Sequence, residues 1–344
     1  MKQYPFISTI RYMGNKAKLL GEIIPKIESV TKEGDVVCDL MAGTNSIGYA
    51  LKKRNIIYSN DIQNYSYTIA GAMLDNYDIP SLLQVHEDID KNYNANLMNK
   101  TFNFFQKNYT DTYFSGRQCE EIDSLRFAIE NITDKSKRCL YLTMLMNAMC
   151  KAQSTTGHFA QYMDKSHYRI IPLRALSIHK LFFDKLSDFD SFVRSKYTNK
   201  EFNLDYNELL KLPEIKDVSC FYLDSPYTLD QYSRFYHILE TVSKYDNPTL
   251  DTHKAKYRTD RVQSNFCYKK TVAAEFNNIF SQCSEFKKPM VVSYSNHGVI
   301  EVPELVNIAK KYYKKVDLTA LKYDHSSQGK GTININEIIL VLEA

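Results

Sequence analysis

The tetrapeptide Asp224-Ser225-Pro226-Tyr227, delivered by the apolar run CFYL at 220–223, combines residue types that could activate a weak nitrogen nucleophile. An amino group conjugated to an aromatic ring delocalises its lone pair and attacks poorly. Asp224 as a carboxylate accepts one amino hydrogen, and a neighbouring backbone carbonyl, that of Ser225, accepts the other. Two acceptors held in fixed directions draw the nitrogen toward tetrahedral geometry and aim its lone pair at an electrophile. Pro226 stiffens the turn by fixing φ, and Tyr227 offers a flat face on which a base can stack. A direct displacement of this kind needs no metal and no covalent intermediate, so positioning supplies most of the catalysis. Taken alone, DSPY is usually a plain turn; its meaning comes from the segments that accompany it.

The first of these is VVCDLMAGTNSIG at 36–48. A β-forming run ends in Asp39 and enters a turn through Met41, Ala42 and Gly43, with Gly48 in the first helical turn. A glycine turn between strand and helix lets a ligand approach the backbone and presents free N–H groups. About 20 residues on, the short run IIYSN ends at Asp61, a carboxylate placed to accept hydrogen bonds from ribose hydroxyls. Either element alone is as well read as a tight turn or a surface acid; at this spacing the pair points to a nucleoside-containing cofactor. A second segment, RYMGNKAKLL at 11–20, precedes the first strand. Gly14 and Asn15 form a turn or cap, and Lys16 and Lys18 open a helix. A lysine there opposes the helix dipole, so it is either kept for a ligand or simply solvated.

Short apolar runs at 36–40, 56–59, 219–223, 289–293, 316–321 and 335–342 predict strands. Helix-length segments lie between them at 17–30, 47–54, 272–286 and 302–313. This alternation implies a mostly parallel sheet covered on both faces. Residues 75–202 read as helical, with apolar spacing at 122–132 and 140–149 and no convincing buried strand. The expected organisation is a catalytic domain of residues 1–74 plus 203–344, split by an inserted, mainly helical domain at 75–202.

The 344 residues carry a net charge of +4, and residues 151–180 contain five basic side chains against Asp164 alone. That local basic surface fits a phosphate footprint, or equally a solvated charged face. No apolar run approaches the roughly 18 residues of a membrane helix. The seven cysteines contain no C-x-x-C pair, which argues against a zinc knuckle or disulfide framework and predicts reduced thiols in a cytoplasmic protein.

In this order, YMGNK, DLMAGT, an acid after the second strand, an insertion and DSPY, the chain resembles the Dam-type adenine-N6 DNA methyltransferases over almost its whole length. The resemblance implies an α/β fold with a Rossmann-like sheet, S-adenosylmethionine as methyl donor and a flipped adenine in duplex DNA as acceptor. It places Tyr12 and Lys16 near the methionine part of the cofactor, Asp39, Met41, Ala42 and Gly43 beneath it, Asp61 at the ribose and Asp205 near the cofactor adenine. Asp224, Ser225, Pro226 and Tyr227 would hold the target base. The stretches YTLDQYSRFYHILE and YRTDR look like methylases of type IIS restriction–modification systems, leaving a cognate endonuclease as a candidate partner. They nominate Arg234, His237, Arg258 and Arg261 for the DNA backbone or the flipped nucleotide. SYSNHG at 293–298 and HSSQGKG at 325–331 would be loops at the same rim.

The insertion is then the candidate for site recognition, through Lys151, Lys165, Arg169 and Arg174 and through QSTTGHFAQ. That segment offers Gln153, Ser154, His158 and Gln161 to base edges, although a surface loop reads the same. Two positions depart from the family pattern. Asn45 stands where a second glycine is usual, and asparagine tolerates left-handed backbone geometry. Ser225 replaces a proline, which keeps the acceptor carbonyl but loosens the turn. N4-cytosine methylation, which uses the same chemistry, and a non-catalytic DNA-binding subunit are the competing expectations.

Overall fold

Why the central strands of the sheet are apolar at nearly every position is explained by what covers them. The computed structural model describes residues 4–7, 9–185, 192–326 and 332–344. Within these, strands β1 Val36–Asp39, β2 Ile56–Asn60, β3 Lys200–Phe202, β4 Val218–Leu223, β5 Met290–Ser295, β6 Lys315–Ser326 and β7 Thr332–Glu343 form one sheet. Their spatial order is β3-β2-β1-β4-β5-β7-β6. The first five run parallel, and β7 enters antiparallel between β5 and β6. The helices before β3 are α1 Leu20–Ser29, α2 Ser46–Leu51, α3 Asn64–Leu74, α4 Ile79–Asn99, α5 Phe104–Tyr109, α6 Gly116–Glu130, α7 Lys135–Ala152, α8 Ile170–Ala175 and α9 Ile178–Phe183. After β3 come α10 Tyr206–Leu209, α11 Tyr232–Phe235, α12 His237–Lys244, α13 Val272–Glu285 and α14 Val302–Ala309.

Alternate residues of a strand point to opposite faces. Val36, Cys38, Phe221, Leu223, Met290 and Val292 pack on one side against α13 and α14. Val37, Cys220, Tyr222 and Val291 pack on the other against α1 and α2. With both faces buried the runs are continuously apolar, as the sequence required. The chain leaves β1 toward β2 on one side and returns as β4 on the other. That reversal opens a crevice beyond the carboxyl ends of β1 and β4, where ligands bind in sheets of this type. Asp39 ends β1 and pairs in register with Tyr222, two residues before Asp224.

Helices α4, α6, α7 and α9 share one apolar core with α3 and α12, through residues such as Ile69, Leu82, Leu125, Leu145, Phe182 and Leu239. The middle of the chain is therefore packed directly onto helices that belong to the sheet's own surroundings. Residues 139–149 of α7 are buried all round, which is why that helix lacks a polar face. Its start is capped by Asp134, and α6 opens with a capping box of Ser115 and Gln118.

The expected strands are all present. The structure also has β3, at 200–202, inside the interval read as strandless. Lys-Glu-Phe is short, half-buried and at the sheet edge, so it carries no apolar run to find. The expected helix at 17–30 is a 3-10 turn, Lys16–Leu19, followed by α1, and α14 stops at Ala309 rather than 313. Among the described residues no helix is long and apolar enough to cross a membrane. All seven cysteines are free.

Candidate active site

Every residue expected to catalyse or to hold a cofactor lines a single cavity in the crevice beyond β1 and β4, with about 1190 Å³ of empty space open to solvent. Tyr12 and Lys16 reach it from the N-terminal segment, Asp39, Met41, Ala42 and Gly43 from the turn after β1, and Asp61 from the end of β2. Asp205 lies on the far rim, where it caps α10 by accepting from the Asn207 amide at 2.9 Å. Asp224, Ser225, Pro226 and Tyr227 follow β4 into the same space.

Lys16 is the largest departure from the sequence reading. It is not solvated: it is 4% exposed, and its ammonium pairs with Asp224 Oδ1 at 2.9 Å. It also donates to the Gly14 carbonyl at 3.2 Å and lies 5.2 Å from the centre of the Tyr227 ring. Burial works against its charge, but Asp224, Glu337 and Tyr227 together outweigh that and its pKa is raised. Ser293 Oγ donates to the same Asp224 oxygen at 3.1 Å and bonds the Tyr222 hydroxyl at 2.8 Å. Burial raises the Asp224 carboxyl pKa, with Lys16 and Ser293 opposing the rise. The ends of YMGNK and DSPY thus meet in space, and Gly14, at φ +75°, makes room for the Tyr227 and Tyr232 hydroxyls. Spacing along the chain could not reveal this contact.

The glycine turn is built tightly. Gly43 has φ +53°, and the Tyr12 ring lies where its side chain would be. Tyr12 is held there by stacking on Tyr236, with ring centres 4.7 Å apart. The Gly43 amide donates to Asp61 Oδ2 at 2.9 Å and the Gln63 amide to Oδ1 at 2.8 Å, so Asp61 ties the turn to β2. Burial pushes the Asp61 carboxyl up to about 6 against these two donors. Burial also drives the Asp39 carboxyl pKa well up, and the charge of Asp224 adds to this.

Asn45 adopts the left-handed conformation, φ 57°, that a second glycine would otherwise supply. It is fully buried, and its Oδ1 accepts from Ser59. A Cβ on Gly48 would fall 2.4 Å from that Oδ1. Gly48→Ala is therefore expected to destabilise the fold by about 1–3 kcal/mol despite alanine's better helix propensity, read as a lower denaturation midpoint.

Comparison with known proteins decides what this cavity belongs to. A family model for the D12 class N6 adenine-specific DNA methyltransferases matches residues 12–315. The chain is a member of that family. It is 30% identical over 318 residues to the modification methylase LlaI of Lactococcus lactis subsp. lactis, covering 88% of this chain and 49% of that protein. It is 29% identical over 350 residues to the modification methylase StsI of Streptococcus sanguinis, covering 97% of this chain and 51% of that one. The type II methyltransferase M.NlaIII of Neisseria lactamica is 26% identical over 336 residues and 91% of each chain. The chain thus spans about half the length of the first two relatives and most of the third.

Not all the residues nominated for DNA sit where a D12 methyltransferase could use them. Arg258 is 1% exposed and forks between Asp246, at 2.7 and 2.8 Å, and Asp260. His237 is fully buried, its Nε2 beside the Phe159 carbonyl at 3.0 Å, and burial drives its pKa down to about 3. Gln153 and Ser154 are also buried, Gln153 bonding the Cys150 carbonyl. These four are structural: polar type in a loop signals contact with solvent only until tertiary packing covers it. Arg261 is half-buried over Tyr257, 4.8 Å from the ring centre. Lys165 and Arg174 are partly neutralised by Asp111, at 3.0 and 3.4 Å. Lys151, Gln161, Arg169 and Arg234 are exposed.

His158 stacks on Phe235 with ring centres 4.4 Å apart. Burial lowers its pKa, with the neighbouring charges of Arg234 and Arg11 adding to that and Asp230 opposing it. The Arg11 guanidinium lies against Gly157. Three segments therefore converge on one basic patch: Arg11 next to cavity-lining Tyr12, His158, and Arg234 next to cavity-lining Ser233. Arg11 was missed in the sequence, although it directly precedes YMGNK. Of the two rim loops expected, SYSNHG begins as the last three residues of β5 and only 296–298 form a turn; most of HSSQGKG, residues 327–331, lies outside the described residues.

Proposed function

We propose that this chain is a site-specific DNA adenine-N6 methyltransferase, acting as the modification enzyme of a restriction–modification system. The observation that carries the reading is Asp224. At the switch point of the sheet, its carboxylate already accepts an N–H from a nitrogen donor, the Lys16 ammonium, at 2.9 Å. An exocyclic amine presents the same kind of donor. The Ser225 carbonyl accepts the second amino hydrogen, Pro226 holds the turn, and Tyr227 stacks on the base.

S-adenosylmethionine, when bound, supplies a methyl group on a cationic sulfonium. The cavity suits it: Asp39, Asp61, Asp205, Asp224 and Glu275 line it against Lys16. Ser225 Oγ, also on the lining, is buried without a protein partner. Asp61 is assigned to the ribose hydroxyls and Tyr12 to the wall over the glycine turn. The sign of the pH dependence follows. A hydroxyl donates to the ionised carboxylate, so binding draws the Asp61 pKa down from about 6. Affinity is complete above that value and weakens as the pH falls through it, toward about tenfold per unit. Calorimetric titration with S-adenosylmethionine between pH 5 and 8 checks this; Asp61→Asn should bind more weakly with a flatter profile.

Duplex DNA is assigned to the patch of Arg11, His158 and Arg234 at the cavity mouth. Residues 75–202, with Lys151, Lys165, Arg169 and Arg174, are assigned to target recognition. The free cysteines fit a reducing cytoplasm. The test is expression in a host lacking its own adenine methylases, followed by sequencing that detects modified bases. N6-methyladenine confined to one sequence context supports the reading. N4-methylcytosine in its place, or unmodified DNA, overturns it.

A further inference from the structure

Beside Asp224 lies a second carboxylate that none of the steps above uses. Glu337, on β7, is 2% exposed, and its Oε2 has no hydrogen-bond partner. In register it faces Ser295 of β5 and Leu321 of β6. Ser293 and Ser295 point to one face of β5, and Ser293 is the residue that donates to Asp224. Glu337 therefore sits one step along the same face from the anchor of the catalytic acid. The 3-10 turn that begins with Lys16 leads into α1, which covers that face. A buried acid with an idle oxygen costs stability unless something occupies it.

The chemistry at Asp224 supplies the occupant. In this structure Asp224 Oδ1 is taken by Lys16 and Ser293. An exocyclic amine that docks on this oxygen displaces the Lys16 ammonium from it. A buried ammonium that leaves one carboxylate needs another. We propose that Glu337 is a positioning residue of the methyl-transfer site: the Lys16 ammonium passes from Asp224 to Glu337 when an exocyclic amine takes its place on the catalytic carboxylate. The proposal rests on the reading of Asp224 as acceptor for the target amine.

Its consequence is a proton. Burial holds the Glu337 carboxyl up at about 7, with Lys16 opposing the rise and Asp224 adding to it. The other titratable groups that feel its charge are the Tyr222 and Tyr227 hydroxyls. Near neutral pH, arrival of the ammonium ionises Glu337 and its proton goes to solvent. Below that range Glu337 keeps its proton, Lys16 stays on Asp224, and the base must compete with it. Transfer therefore weakens as the pH falls through about 7.

The test compares wild type with Glu337→Gln, which keeps the shape and removes the acceptor charge. Methyl transfer from S-adenosylmethionine to unmethylated genomic DNA is followed from pH 6 to 8.5, alongside cofactor affinity and thermal midpoint. Glu337→Gln should lower kcat/KM for DNA about tenfold at pH 8. It should also flatten the rise between pH 6 and 8, so that the two enzymes converge at low pH, with cofactor affinity and midpoint kept. A variant with the wild-type profile overturns the proposal. So does a loss of activity that tracks lost cofactor binding or a lower midpoint, which marks a purely structural acid. Wild type that transfers no methyl to adenine overturns the reading of Asp224 and this proposal with it, whereas active wild type beside an unaffected variant overturns the proposal alone.

Discussion

Asp224→Asn is expected to lower single-turnover methyl transfer by about 10²–10³-fold, the range for removing one preorganised electrostatic group from a reacting centre. Asparagine keeps the volume and one carbonyl acceptor but loses the charge that draws the amine hydrogen. It also removes the carboxylate that Lys16, 4% exposed, pairs with in this structure. A change in the pairing of a buried charge also acts on the fold. Two measurements separate the effects. Cofactor affinity should stay within about threefold of wild type if the cavity is intact. Adding Lys16→Met to Asp224→Asn should recover the thermal midpoint without recovering transfer, because the lost chemistry resides in the carboxylate. The pH dependence has the same origin. Burial raises the Asp224 pKa, so the acceptor is lost on acidification at a higher pH than an ordinary aspartate would show.

A second large effect is expected where the sequence suggested a DNA contact and the structure shows a strut. Arg258 is 1% exposed, while its partners Asp246 and Asp260 are about half exposed. Removing the arginine leaves two acids that water can solvate. Removing both acids strands a guanidinium in the interior. The double substitution Asp246→Ala, Asp260→Ala should therefore cost about 3–5 kcal/mol by equilibrium denaturation. Arg258→Met added to that background should restore much of the loss, an ordering that no phosphate-binding role for Arg258 produces. Acidification acts in the same direction. Arg258 holds both carboxyls below their usual range, so the stability they add is present above that range. It is lost as the pH falls through their folded values.

Which features were legible follows from the range of the interactions that make them. The strand runs and the glycine turn are local: β-propensity, the burial of both sheet faces, and a backbone position that tolerates positive φ leave marks on consecutive residues. Asn45 is an example, since its side chain permits the left-handed turn the structure shows. The residues that line the cavity were legible because several segments stood in one familiar order. Contacts between distant segments were not. Nothing near Lys16 in the chain announces Asp224, and nothing near Arg258 announces that Asp246 and Asp260 enclose it. Gln153 and Ser154 look like a polar loop until Tyr113 and its neighbours cover them; the Ser154 amide donates to the Tyr113 carbonyl. Edge strand β3 escaped for the opposite reason, since three half-buried residues held by backbone bonds to β2 need no apolar pattern.

The central claim is that Asp224 accepts an adenine amine for methylation. It is tested most directly by incubating the protein with unmethylated genomic DNA and S-adenosylmethionine labelled in its methyl group, then separating the nucleosides. Asp224→Asn is run beside it, with cofactor binding measured for both. The account predicts label in N6-methyladenine from the wild type and at most a trace from the variant. Label in N4-methylcytosine would contradict the assignment of the base. No label from wild-type protein that binds the cofactor would contradict the assignment of the chain as a DNA methyltransferase.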